Sequence, residues 1–177
     1  MKLRSLLIPL IYSVLPVGIA SAQFPLHLSF GGGLTPAFQT DGIASRGYSG
    51  AHLQYALEFT PANRHWGLRF DAFSHHMSRK TFGAPLQPQT KILGADFSAL
   101  YSFGPATRSW TPYLLAGAGS YRTEYGEPVP EFHFGLAGGA GLRVRAGPIG
   151  LFLESRVHSI ADGSTPYLVP VTIGIRF

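Results

Sequence analysis

The sequence predicts an all-β chain: an eight-stranded antiparallel up-and-down transmembrane β-barrel that follows an N-terminal signal peptide. Three observations lead there. The chain opens with an export-type leader. Eight later segments alternate apolar and small or polar residues with period two. Charged residues make up only 13% of 177 positions, about half the roughly 25% usual in soluble domains, yet no second apolar run is long enough for a spanning helix. Inside lipid every backbone N–H and C=O must be paired within the protein, which leaves only helices and closed barrels.

The leader is read from its parts. Lys2 and Arg4 are followed by an apolar run from Leu6 to Ile19, interrupted by Pro9 and Pro16, and then by Ala20-Ser21-Ala22. A basic start, a short apolar middle and a small-x-small end mark a cleavable signal, and two prolines argue against a spanning helix. Residues 1–22 are therefore expected to be removed, leaving residues 23–177 as one barrel domain. Its net charge is +3, since Lys2 and Arg4 leave the +5 chain. This mild, scattered excess contains no basic run of the kind that binds nucleic acid. With no cysteine, disulfides and thiol chemistry are excluded.

The strands follow in order. In the first, Phe24 to Leu34, Phe24, Leu26, Leu28, Phe30 and Leu34 share a face. In the second, Gly47 to Phe59, Leu53, Tyr55, Leu57 and Phe59 alternate with His52, Gln54, Ala56 and Glu58. The third, Trp66 to Met77, sets Trp66, Leu68 and Phe70 against Gly67, Arg69 and Asp71. The fourth, Lys91 to Phe103, sets Leu93, Phe97, Tyr101 and Phe103 against Gly94, Asp96 and Ser98. The fifth, Thr111 to Arg122, has two competing phases, Tyr113, Leu115 and Tyr121 against Leu114, Ala116 and Ala118. The sixth, Phe132 to Val144, places His133 and Arg143 opposite Phe134 and Leu136. The seventh, Ile149 to His158, places Glu154, Arg156 and His158 opposite Leu151, Leu153 and Val157. The eighth, Tyr167 to Phe177, places Arg176 opposite Val171, Ile173, Ile175 and Phe177.

Connection lengths alternate as well. Residues 61–64, 104–109 and 146–148 are short and turn-like. Thr35 to Arg46, Ser78 to Thr90, Glu124 to Glu131 and Ser159 to Pro166 are longer. Short periplasmic turns and longer external loops are the pattern of outer-membrane barrels. Periodicity alone does not orient the two faces, and a soluble lipocalin-like carrier would bury the apolar stripe. Three features favour an apolar stripe facing lipid. The other stripe is too rich in Gly, Ala and Ser to be a well-solvated surface. It carries both charge signs at low density. Aromatics at Phe59, Trp66, Tyr101, Phe103, Trp110 and Tyr113 gather near the short turns, as an interfacial girdle does.

The segments Pro112-Tyr113-Leu114-Leu115-Ala116-Gly117-Ala118-Gly119, Gly135 to Arg143, Glu154-Ser155-Arg156-Val157-His158 and Val169 to Phe177 resemble the outer membrane protein β-barrel domain family, the small barrels related to the transmembrane domain of outer membrane protein A. The resemblance spans residues 23–177 and implies a fold and an outer-membrane location. It does not imply a shared activity. It also implies that Val171, Ile173, Ile175 and Phe177 form a terminal signal recognised by the barrel-insertion machinery.

The inward polar candidates are Glu58, Arg69, Asp71, Asp96, Arg143, Glu154, Arg156 and Arg176, expected to pair across a narrow, plugged lumen. No cofactor, metal or catalytic set is expected. His75 and His76 are adjacent and point to opposite faces. His158 and Ser159 diverge in the same way, which disfavours a lipid A-modifying enzyme that would use them together. The expected partners are outer-membrane lipid and lipopolysaccharide, with the basic pair Arg79-Lys80 in an external loop. The chain is expected to be a monomer with a structural or surface-interaction role.

Overall fold

The computed structural model describes residues 26–40, 45–61, 65–78, 90–104, 108–124, 131–161 and 167–177. The leader, the Arg79-Lys80 pair and most of the connections between strands lie outside them. The strands are β1 (Leu26–Thr40), β2 (Ser45–Phe59), β3 (Trp66–Ser78), β4 (Thr90–Ser102), β5 (Trp110–Glu124), β6 (Glu131–Ala146), β7 (Ile149–Ile160), β8 (Tyr167–Leu168) and β9 (Val171–Arg176). Each of β1 to β7 pairs antiparallel with the next. Both β8 and β9 pair with β7 on one side and β1 on the other. They are two parts of one eighth stave, and the sheet closes on itself.

The eighth stave is broken at Val169-Pro170, where proline supplies no N–H. The ladder is kept there by other groups. Pro170 accepts from Arg156 N at 3.1 Å, and Val169 N donates to Pro36 O at 2.9 Å. Pro36 sits inside β1, so β1 runs to Thr40 and β2 starts at Ser45. The first long connection expected from the sequence, Thr35 to Arg46, is therefore mostly strand. At the other end of the barrel, the β6–β7 hairpin turns on Gly147-Pro148. Gly147 has φ 66°, as a type II′ turn requires at its first central position.

The register fixes the barrel's shape. From Leu26 the ladder passes to Phe59, Leu68, Ala99, Ala116, Gly138 and Val157, then through Val169 to Pro36, ten residues along the starting strand. Ten steps of rise around eight strand spacings tilt the strands by about 40°. An eight-stranded barrel has an interior just wide enough for side chains to fill.

The faces alternate as the period-two pattern requires. Phe30, Leu53, Phe70, Phe97, Leu136, Leu153 and Ile173 are exposed on the outside, whereas Glu58, Arg69, Asp71, Asp96, Glu154 and Arg156 are buried inside. An apolar exterior around a charged interior is the inverse of a soluble domain. Near the short-turn end, Trp66 meets Tyr101 edge-on at 4.9 Å and Tyr101 meets Phe103 at 5.0 Å. Phe59, Trp66, Phe103 and Trp110 are all exposed there. The fifth strand resolves its phase with Tyr113, Leu115 and Tyr121 inward and Leu114, Ala116 and Ala118 outward. Tyr113 is 1% exposed, so it is a lumen residue and not part of the girdle.

Inward aromatics sit over inward glycines. Phe73 pairs with Gly94, Tyr113 with Gly141 and Phe152 with Gly174 in the register, and a Cβ on any of those glycines would collide with the facing ring. The glycines leave the space in which these rings fold flat against the wall.

Phe97 lies near the middle of β4 and is outward. Phe97→Arg is expected to destabilise the barrel by about 2–4 kcal/mol, measured as reversible unfolding in lipid vesicles. A change below about 0.5 kcal/mol would show that this face does not meet hydrocarbon.

Candidate functional site

All eight charged residues picked from the sequence point into the lumen, four arginines against four carboxylates. The structure joins them in two groups. At the short-turn end, Glu58 receives Arg143 at 2.6 Å, Arg176 at 3.0 Å and the Thr60 hydroxyl at 2.6 Å. The Arg143 guanidinium also lies over the Tyr113 ring, 4.2 Å from its centroid. Arg143 and Arg176 approach Glu58 across the closure of the sheet, since β6, β9 and β2 lie on different sides of β1.

The second group fills the middle. Glu154 accepts from Arg69 at 2.8 Å, Arg156 Nε at 2.6 Å and the Tyr113 hydroxyl at 2.6 Å. Asp71 receives Arg69 and Arg156, each at 2.9 Å. Asp96 receives Arg156 at 3.2 Å. Asp71 and Asp96 are register partners on neighbouring strands, so two like charges face the lumen side by side. The opposing β7 places Arg156 against both. Gln54 donates to Asp71 at 2.7 Å and to Glu154 at 3.3 Å, closing the group from β2.

The local cause of this arrangement is the strand period. Arg69 and Asp71 are two apart on β3, Glu154 and Arg156 two apart on β7, so each pair shares the inward face. The two strands then present a cation and an anion each to the other across the bore. Taking these charges out of water is expensive, and mutual pairing offsets much of that cost, although Asp71 Oδ2, one terminal nitrogen of Arg156 and Arg176 Nε are buried without a hydrogen-bond partner. Removing one member leaves its partners uncompensated.

The sequence reading missed several lumen residues. Gln54, Tyr113, Thr172, His52, His75 and Tyr121 all belong to the interior network. Thr35 Oγ1 lies 3.1 Å from His52 Nδ1 and 2.9 Å from His75 Nδ1, and Tyr121 bonds His158 Nδ1 at 2.9 Å. Their signal was present as inward parity, but uncharged polar side chains do not stand out from a small-residue stripe. His75 is inward and His76 exposed, and His158 is buried while Ser159 faces outward. Neither adjacent pair converges. Among the described residues, no group of three His, Asp or Glu side chains is placed to hold a metal ion. Val171, Ile173 and Phe177 face outward on β9 and just beyond it. Phe177 is tied to β1 through its N–H to Leu28 O at 2.8 Å and its carbonyl to His27 Nδ1 at 3.2 Å.

No protein-family model matches the chain, and no curated protein matches it in sequence. Solved structures match it in fold. One is the crystal structure of Neisserial surface protein A, with a TM-score of 0.62 at 16% identity, covering 88% of this chain and 98% of that one. Another is the outer membrane protein OprG from Pseudomonas aeruginosa, with a TM-score of 0.51 at 16% identity, covering 88% and 97%. Fold and lumen together define a small eight-stranded β-barrel of the outer-membrane type, with an ion-paired interior.

Glu154→Ala is expected to cost about 3–5 kcal/mol, because it takes a carboxylate from two buried arginines at once and leaves Asp71 and Asp96 alone against them. Glu124→Ala, which breaks a half-exposed pair with Arg122 at 3.0 Å, is expected to cost under about 1 kcal/mol. Equal effects in urea unfolding of the refolded barrel would mean that the lumen pairs contribute no more than surface pairs.

Proposed function

We propose that this chain is an integral outer-membrane barrel with a sealed lumen, serving a structural or surface-interaction role. The observation that carries this reading is an apolar exterior wrapped around a lumen occupied by paired side chains. The exterior suits hydrocarbon, flanked at the short-turn end by exposed Trp66, Phe103 and Trp110 of the kind that settle at a membrane interface. The interior argues for a plug and against an open pore, because Arg69, Arg156, Asp71 and Glu154 meet across the bore within 3 Å.

On this reading the partners are outer-membrane lipid and lipopolysaccharide around the wall. The barrel-insertion machinery is a partner during assembly, through the outward row Val171, Ile173, Ile175 and Phe177. A monomer suffices, since the sheet closes within one chain. Catalysis on lipid A through His158 and Ser159 is not favoured, since the two side chains sit on opposite faces of the wall.

Three measurements on residues 23–177 refolded in detergent test the reading. A strand-rich circular dichroism spectrum with a boiling-dependent shift in electrophoretic mobility is expected, with no stable large conductance in planar bilayers. A protein that stays soluble and monodisperse without detergent would overturn the membrane placement. Steady large-conductance steps would overturn the sealed lumen.

A further inference from the structure

Beyond the ionic network, towards the long-loop end, lies a layer with no part in the proposed role. It holds His52 from β2, His75 from β3 and His158 from β7, with ring centroids 5.3 Å apart for His52–His75 and 6.0 Å for His75–His158. Apolar side chains, among them Phe73, Met77, Ile92, Ile160 and Leu168, close over it.

The hydrogen bonds fix where each proton sits. Gln54 turns its NH2 to the carboxylates of Asp71 and Glu154, so its oxygen is the acceptor for the Thr172 hydroxyl at 3.2 Å. That hydroxyl has one proton and has given it away. The 2.7 Å contact between His52 Nε2 and Thr172 is then a bond donated by His52. A neutral His52 has a bare Nδ1, which accepts the Thr35 proton. Thr35 in turn accepts from His75 Nδ1. The neutral His75 ring is left with a bare Nε2. That atom is buried with no hydrogen-bond partner, on a side chain 1% exposed.

We propose that this histidine layer is a proton-sensitive seal on the outer half of the lumen, released by proton uptake at Nε2 of His75. His52 has both nitrogens engaged, and of the three rings in the layer only His75 has a nitrogen buried without a hydrogen-bond partner, so His75 offers the free lone pair. A proton there creates a cation whose new N–H has no acceptor. The ionisable groups around it do not help. His52 and His158 face it as further imidazoles, with His76 next to it on the outer face of its own strand. Arg156 lies below on β7, already spent on Asp71, Asp96 and Glu154. Asp96 on β4 comes within 3.9 Å of His158, and Tyr121 on β5 bonds His158. β1 and β9 contribute the Thr35 and Thr172 hydroxyls. Water entering an opened layer solvates the cation, so acid favours the open form progressively as pH falls below the range where free imidazole titrates, about pH 6.5. The ionic groups around Glu58 and Glu154 stay paired, so the opening is confined to the outer half.

The test is nitrogen-15 NMR of the histidine rings in the refolded parent barrel, with amide exchange, corrected for intrinsic pH dependence, followed from pH 8 to pH 5. At pH 8 His75 should be the Nδ1–H tautomer with a bare Nε2. On acidification, Phe73, Tyr121 and His158 signals should move together with His75, and exchange around the Phe73–Gly94 pair should rise tenfold or more, while the Glu58 region stays protected. His75→Phe keeps a ring in the layer and should abolish the exchange response. An Nε2–H tautomer at pH 8, a parent layer unmoved at pH 5, or a His75→Phe barrel that responds like the parent would each overturn the proposal. If His75→Phe does not fold, the tautomer and pH series on the parent decide it.

Discussion

Eight charged side chains point into a bore narrow enough for side chains to fill. Everything else in the barrel follows from how that is resolved. Arg156 lies among Asp71, Asp96 and Glu154, and Arg69 joins Asp71 to Glu154. Each charge thus has opposite neighbours on other strands. These bonds run across the barrel, whereas the ladder bonds run around it. The ladder alone satisfies the backbone and permits the chain to sit in lipid. The cross-bore pairs set which residues face one another, and so hold register as well as filling space.

The same constraint explains the graded interior. Charges at the short-turn end and in the middle are paired, imidazoles and hydroxyls follow, and apolar side chains finish the long-loop end. Glycine in the wall is what lets large rings take part. Tyr113 lies flat over Gly141 and from there reaches Glu154 at 2.6 Å. Phe73 does the same over Gly94 and from there meets the rings of His75, Tyr121 and His158.

Much of this was readable from period-two alternation, because a strand's inward set is fixed once any member is placed. Arg69 with Asp71 and Glu154 with Arg156 declared their faces in this way. Who meets whom was not readable, since β3 and β7 are far apart in sequence and only closure with a ten-residue stagger brings them opposite. The fifth strand is ambiguous in sequence for a physical reason. Its lipid face carries Ala116, Ala118 and Ser120 and its lumen face Tyr113, Leu115 and Tyr121, so the hydrophobicity contrast between faces is inverted. Tyr113 reads as a girdle residue in sequence because nothing local reveals the glycine socket on β6. The first long connection is expected from Thr35 onward, yet Pro36 continues β1, where its carbonyl accepts from Val169 N at 2.9 Å.

The central claim is that cross-bore ion pairing holds this barrel together, and a double-mutant cycle on Arg69 and Glu154 tests it most directly. Arg69→Met and Glu154→Met would be measured singly and together by reversible unfolding in lipid. Contacting residues in one network couple by about 0.5–3 kcal/mol, and a value in the upper half of that range is expected here, with the double variant losing clearly less than the sum of the two single losses. Single losses that simply add, to within about 0.3 kcal/mol, would mean that the two side chains occupy the lumen without depending on each other.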